Sequence, residues 1–158
     1  KYKFSHLEHA ITFLPYGVAI DEFQHAVYAN PEMTHEERCA KWREIEKKYM
    51  PWRSYDGNTF LEEGGFWMQK QHIFLYPFYY INYTLTTMGA MEFKKRYAEN
   101  KEQAWKDYLN LCNAGGSKSY LGLLKVANLH VPFEDGCVKE SISYAKEILL
   151  KAIEEEQK

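Results

Sequence analysis

The chain has 158 residues, 46% of them hydrophobic and 16% aromatic, with a formal net charge of -2. That length allows one sizeable core, the charge gives no electrostatic reason to expect nucleic acid, and no apolar run approaches the roughly 20 residues of a membrane span. Cys39, Cys112 and Cys137 are odd in number, widely spaced and without a CxxC pair, which argues against a disulfide framework or a cysteine zinc site and for a reducing, cytoplasmic setting. The first residue is lysine rather than methionine, and no signal-peptide pattern follows it, so a piece of a longer protein is expected.

The periodicity is helical throughout, and nothing alternates with period two long enough to make a strand, so the expected fold class is all-α. Pro15 is placed to open a first helix, with Phe13, Tyr16, Ile20, Phe23 and Val27 at helical spacing up to Asn30-Pro31. Thr34-His35-Glu36-Glu37 is a capping box. It predicts a second helix with Cys39, Trp42, Ile45 and Tyr49 inward, ended by Pro51. Residues 51 to 59 read as a loop with a turn at Asp56-Gly57. Leu61 to Phe74 is helical or irregular around Gly64-Gly65, and a long helix is expected from about Pro77 to Tyr97, finishing in Lys94-Lys95-Arg96.

Asn100 caps the next helix, where Ala104, Trp105, Tyr108, Leu111 and Cys112 share a face until Gly115-Gly116. Ser117 or Ser119 starts a short helix through Val126. The last helix runs from about Gly136 with Val138, Ile142, Ala145, Leu149 and Ala152 inward. With no repeat, low-complexity stretch or linker, residues 1 to 158 read as a single helical segment. The Ile20–Val27 and Phe78–Ala90 stretches are apolar on more than one side, so they are expected to be buried centrally or covered by further chain.

Metal ligation is poorly supported by the residues present. His35-Glu36-Glu37 lacks the second histidine of an H-E-x-x-H zinc motif. Glu22 with His25 and Glu32 with His35 repeat the Glu-x-x-His spacing of carboxylate di-metal bundles. His35 falls at a helix start just past Pro31, however, which places the second copy badly. His6 and His9 are assigned no role.

A denser signal lies around His72. Behind that one imidazole come Tyr76, Tyr79, Tyr80 and Tyr83. A plain core would use Leu, Ile and Phe, because every buried tyrosine hydroxyl needs a partner. Several hydroxyls converging on one polar or anionic atom suit a developing negative charge. On a helix, Tyr80 and Tyr83 would project together, while Tyr79 would point about 100° around the axis from Tyr80. Packing with the hydroxyls bonded to backbone carbonyls is the competing reading.

The string Gly64-Gly65-Phe66-Trp67, then His72-Ile73-Phe74, then Pro77-Phe78-Tyr79-Tyr80-Ile81-Asn82-Tyr83-Thr84-Leu85 resembles the C-terminal part of oligoendopeptidase F. That protein is one of the zinc oligopeptidases, with thimet oligopeptidase and neurolysin. The likeness extends to Phe4-Ser5-His6-Leu7, to Leu14-Pro15-Tyr16-Gly17-Val18-Ala19-Ile20-Asp21-Glu22-Phe23-Gln24-His25, and to Tyr55-Asp56-Gly57-Asn58. With Asn113-Ala114-Gly115-Gly116-Ser117-Lys118-Ser119 it covers about residues 4 to 137. The order and spacing of the blocks carry it.

The resemblance implies a multi-helix C-terminal portion of a zinc peptidase catalytic domain. Its metal-binding H-E-x-x-H and later glutamate would lie N-terminal to this segment. His72, Tyr80 and Tyr83 would face the zinc across the cleft and hydrogen-bond the scissile carbonyl oxygen, with Tyr76 and Tyr79 touching substrate. One departure is Phe74-Leu75-Tyr76-Pro77, standing where thimet-type members have a glycine-rich stretch. The match of Tyr80 rather than Tyr79 therefore rests on the three-residue interval to Tyr83. The implied partners are short peptides and the rest of the protein's own catalytic domain, with self-association of the isolated piece. Alone, the segment is expected to bind no zinc and to be inactive. The alternative is a non-catalytic helical scaffold or interaction module.

Overall fold

The computed structural model describes residues 2–156, and every regular element among them is helical. The order is α1 (Tyr2–Ala29), α2 (His35–Tyr49), α3 (Thr59–Glu62), a 3-10 turn (Gly65–Gln69), α4 (Gln71–Leu75), α5 (Ile81–Glu99), α6 (Lys101–Ala114), α7 (Tyr120–Val126) and α8 (Cys137–Glu156). No helix is long and apolar enough to cross a membrane. Two compact units emerge: Thr12–Thr84 is one, and residues 2 to 11 with 85 to 156 form the other.

Within Thr12–Thr84, Thr34 caps α2 as expected, accepting from Glu37 N while the Glu37 carboxylate accepts from Thr34 N at 2.8 Å. That cap sets the face of α2 that buries Cys39, Trp42 and Ile45. Trp42 meets Phe23 edge to face at 5.5 Å, and Trp67 reaches the same ring at 5.1 Å, joining Ile20, Met50 and Tyr80 in one core. Two glycines make close approaches possible. A Cβ on Gly64 would stand 2.0 Å from the Cys39 carbonyl oxygen, at a φ of 102° that suits glycine. One on Gly17 would stand 1.8 Å from Thr84 Oγ1.

The α2 face also buries a charge. Glu46 is fully enclosed, bonded by Arg43 at 2.6 Å, by Arg53 at 3.2 Å and by the Tyr55 hydroxyl. Two guanidiniums and a phenol replace the water a buried carboxylate loses. They also hold the 51–58 loop, which carries Arg53 and Tyr55, onto α2.

In the other unit, Leu7, Ala10, Met91 and Ala145 form the core, with Ile11, Ile148 and Leu149 around it. Asp107 is buried and accepts from Gln103 at 2.9 Å, from Asn128 at 3.0 Å and from Arg96, which also donates to the Ala127 and Asn128 carbonyls.

The chain departs from its sequence pattern at four places. The first helix does not open at Pro15 but runs through it from Tyr2. Proline cannot give an amide proton to the Ile11 carbonyl, and the surrounding apolar residues sustain the helix regardless. Tyr79 and Tyr80 precede α5 rather than ride on it. On α6 the inward residues are Ala104 and Asp107, while Trp105 stacks on Tyr108 at the surface. The pull of Arg96 and Asn128 on the Asp107 carboxylate turns that face. On α8 the buried stripe is Cys137, Ser141 and Ala145, which leaves Val138 exposed: small side chains give the closest packing there.

Candidate active site

His72 and its tyrosines all belong to the Thr12–Thr84 unit. The segment reaches them in short steps. Lys70, extended, links the 3-10 turn to α4: its amide donates to the Trp67 carbonyl and its carbonyl accepts from Ile73 N, each at 3.0 Å. His72 is in the first turn of α4, and Tyr76 ends that helix.

A tight turn then covers Tyr76 to Tyr79, closed by Tyr79 N to Tyr76 O at 3.2 Å. Pro77 fixes its second residue, and Phe78 follows at a φ of 58°, the sign a type II turn requires at its third position. Neither residue can continue a helix, which is why α5 waits until Ile81. Two further turn bonds at 3.1 Å, Asn82 N to Tyr79 O and Tyr83 N to Tyr80 O, feed the chain into it.

This path gathers the rings by turns rather than along one helix face. Tyr83 Oη and His72 Nε2 lie 3.4 Å apart. Around the imidazole, ring centroids stand at 5.1 Å for Tyr80, 5.6 Å for Tyr83, 5.8 Å for Tyr76 and 6.4 Å for Tyr79. Tyr79 stacks nearly parallel to His72, at 11°. The expectation that helix geometry turns Tyr79 away from the group is therefore corrected. The residues also differ in depth: Tyr79 is 49% exposed and Tyr80 only 6%. Burial first, then the phenols of Tyr79 and Tyr80, raise Tyr83 above its ordinary value, so its hydroxyl keeps its proton at neutral pH.

Behind Tyr80 stand Phe13 and Tyr16, each with its ring centroid 5.9 Å away. Lys70 Nζ donates to Tyr80 Oη at 3.3 Å. Sequence reasoning missed Lys70. Its signal was a single cation two residues before His72 in a stretch rich in aromatic residues.

No group of three or more His, Cys, Asp or Glu side chains among the described residues could hold a metal ion. Three of the four residues of the Glu-x-x-His pairs have other partners. Glu22 accepts from Lys48 at 2.8 Å and from Tyr49, His25 faces Asp21 at 3.4 Å, and His35 Nε2 lies 3.6 Å from Cys39 Sγ.

No protein-family model matches the chain, and no curated protein does. Solved structures do. PZ peptidase A with an inhibitor is 54% identical over 95% of this chain and 27% of its own, with a TM-score of 0.90. A 3.1 Å X-ray structure described as an oligoendopeptidase F is 52% identical over 94% and 26%, with a TM-score of 0.90. A third, described as an oligoendopeptidase F from Bacillus anthracis str. Ames, is 48% identical over 95% and 23%, with a TM-score of 0.75. The chain thus spans about a quarter of the length of these relatives. The fold and these likenesses define an all-helical segment that resembles part of a peptidase chain. More particularly, the chain belongs to the oligoendopeptidase F family.

Proposed function

We propose that the intact protein is a zinc oligoendopeptidase that hydrolyses short peptides inside the cell. This segment, one piece of its catalytic domain, supplies the wall that binds the reacting carbonyl. The observation that carries this is the 3.4 Å approach of Tyr83 Oη to His72 Nε2, inside a cluster where Tyr76, Tyr79 and Tyr80 surround the same imidazole. A phenol O–H and an imidazole N–H both donate hydrogen bonds. Aimed at a carbonyl oxygen, they bind it more strongly as it gains negative charge, so the gain falls in the transition state. Tyr80 and Tyr83 serve as donors with His72, and the exposed rings of Tyr76 and Tyr79 take substrate side chains or backbone.

The described residues do not fit a catalytic metal. In the whole protein, zinc would be held by residues outside this segment.

The test is Tyr83→Phe in the intact protein. It removes one donor and keeps the ring, so stability should hardly change while turnover falls by on the order of 10²–10³ and KM moves far less. Tyr80→Phe and His72→Ala should act on the same step and combine with it less than multiplicatively. Small, equal effects at all three positions would return the cluster to packing.

A further inference from the structure

We propose that Lys70 is a positioning residue for Tyr80: its ammonium fixes which way the Tyr80 hydroxyl donates and stabilises the charge that oxygen takes on during turnover. The proposal rests on the reading of Tyr80 as a donor to the substrate carbonyl.

Observations on this one residue carry it. Lys70 Nζ is 3.3 Å from Tyr80 Oη. The same ammonium lies over two ring faces, 4.9 Å from the Tyr80 centroid and 5.4 Å from that of Tyr16. Its backbone is pinned on both sides, by the Trp67 carbonyl and the Ile73 amide. A half-buried cation is thus held against aromatic faces and one phenol oxygen.

The chemistry follows from the donor inventory. An ammonium has three N–H donors and no acceptor, whereas a phenol has one proton and an oxygen that accepts. Tyr80 therefore cannot donate to Lys70. Its oxygen accepts from that side, and its proton must be offered elsewhere. A hydroxyl that already accepts a charged hydrogen bond is also a stronger donor, because each bond polarises the next. As the carbonyl oxygen draws on the Tyr80 proton, negative charge grows on the phenol oxygen next to the fixed ammonium. Lys70 would then act mainly on the transition state.

In the intact protein, Lys70→Met keeps most of the stem and removes the charge. The expected result is a fall in kcat of about tenfold, the value of one charged hydrogen bond, with KM within about twofold. Lys70→Arg should recover most of the loss. Lys70→Met with Tyr80→Phe should be no slower than Tyr80→Phe alone, because Lys70 acts through that hydroxyl. Calorimetry with a phosphinic peptide, which mimics the tetrahedral intermediate, should show about tenfold weaker binding to Lys70→Met. Should Lys70→Met fail to fold, Lys70→Gln carries the same comparison with a neutral donor and should fall between wild type and the Met loss. Wild-type kinetics in Lys70→Met beside an impaired Tyr80→Phe would overturn the role of Lys70 alone, as would losses that multiply in the double variant. Wild-type turnover in Tyr80→Phe would remove the donor reading, and this proposal with it.

Discussion

The Phe78 ring lies 4.8 Å from the imidazole of His25, with the Tyr28 ring 5.0 Å away on the same helix. Phe78 is also the bulky residue held at a φ of 58° between Pro77 and Tyr79. A left-handed backbone at such a residue costs on the order of 1–3 kcal/mol. Packing on α1 offsets that cost and fixes the turn from which Tyr79 and Tyr80 emerge.

Replacing Phe78 separates backbone from ring. Phe78→Ala loses the contacts and keeps the strain, whereas Phe78→Gly loses the contacts but relieves it. The glycine variant should be the more stable of the two by about 1–2 kcal/mol, read from urea midpoints at constant m-value. Equal midpoints would mean the turn relaxes when the ring is removed.

Tyr79 offers a test of stacking against donation. Its ring lies parallel to His72, so Tyr79→Phe keeps the contact and should lower turnover by no more than a few-fold. Tyr79→Ala frees the imidazole and should cost about tenfold or more in kcat/KM, since misplacing a catalytic group is expensive. Steady-state kinetics of both variants decide it.

Glu46 should be among the least replaceable residues of its unit. Glu46→Ala leaves Arg43 and Arg53 without their shared buried partner, and breaking a buried pair costs about 3–5 kcal/mol. Denaturant unfolding should show the loss. Arg53→Met should cost less, because Arg53 is partly exposed and a second guanidinium remains.

Asp107 predicts a pH dependence. Burial pushes its carboxyl up, but the hydrogen bonds from Gln103, Arg96 and Asn128 outweigh this and hold it below its ordinary 3.8. A group depressed on folding adds stability that is complete above the unfolded value and is lost as pH falls through the folded one. Wild type should therefore lose stability below about pH 4 more steeply than Asp107→Asn, which starts less stable at neutral pH. Thermal unfolding between neutral and strongly acid pH measures both slopes.

Local chemistry made much of the fold legible. Thr34 with Glu37, Asn100 and Ser119 each cap a helix through an oxygen accepting an amide three residues on. Such signals are written within one turn of chain. What stayed hidden depends on distant partners. Glu46 reads as a solvated charge until Arg53 and Tyr55 fold over it, and Asp107 turns inward because Arg96 and Asn128 await it. The clustering of tyrosines behind His72 could be seen in the sequence, but their route could not. A positive φ at phenylalanine runs against its own propensity and is sustained by His25 and Tyr28, some 50 residues earlier.

Proline at position 15 leaves one rung out of the α1 ladder, since it has no amide proton for the Ile11 carbonyl. The division between the two compact units falls beside that gap, between Ile11 and Thr12. Proteins open locally in cooperative blocks, and a missing rung lowers the penalty for one block to open without the next. Amide exchange along α1 should then fall into two classes, with residues 2 to 11 sharing the protection of the 85 to 156 stretch and residues from 16 onward that of Trp42 and Phe23. The helix would be continuous in shape yet breathe as two.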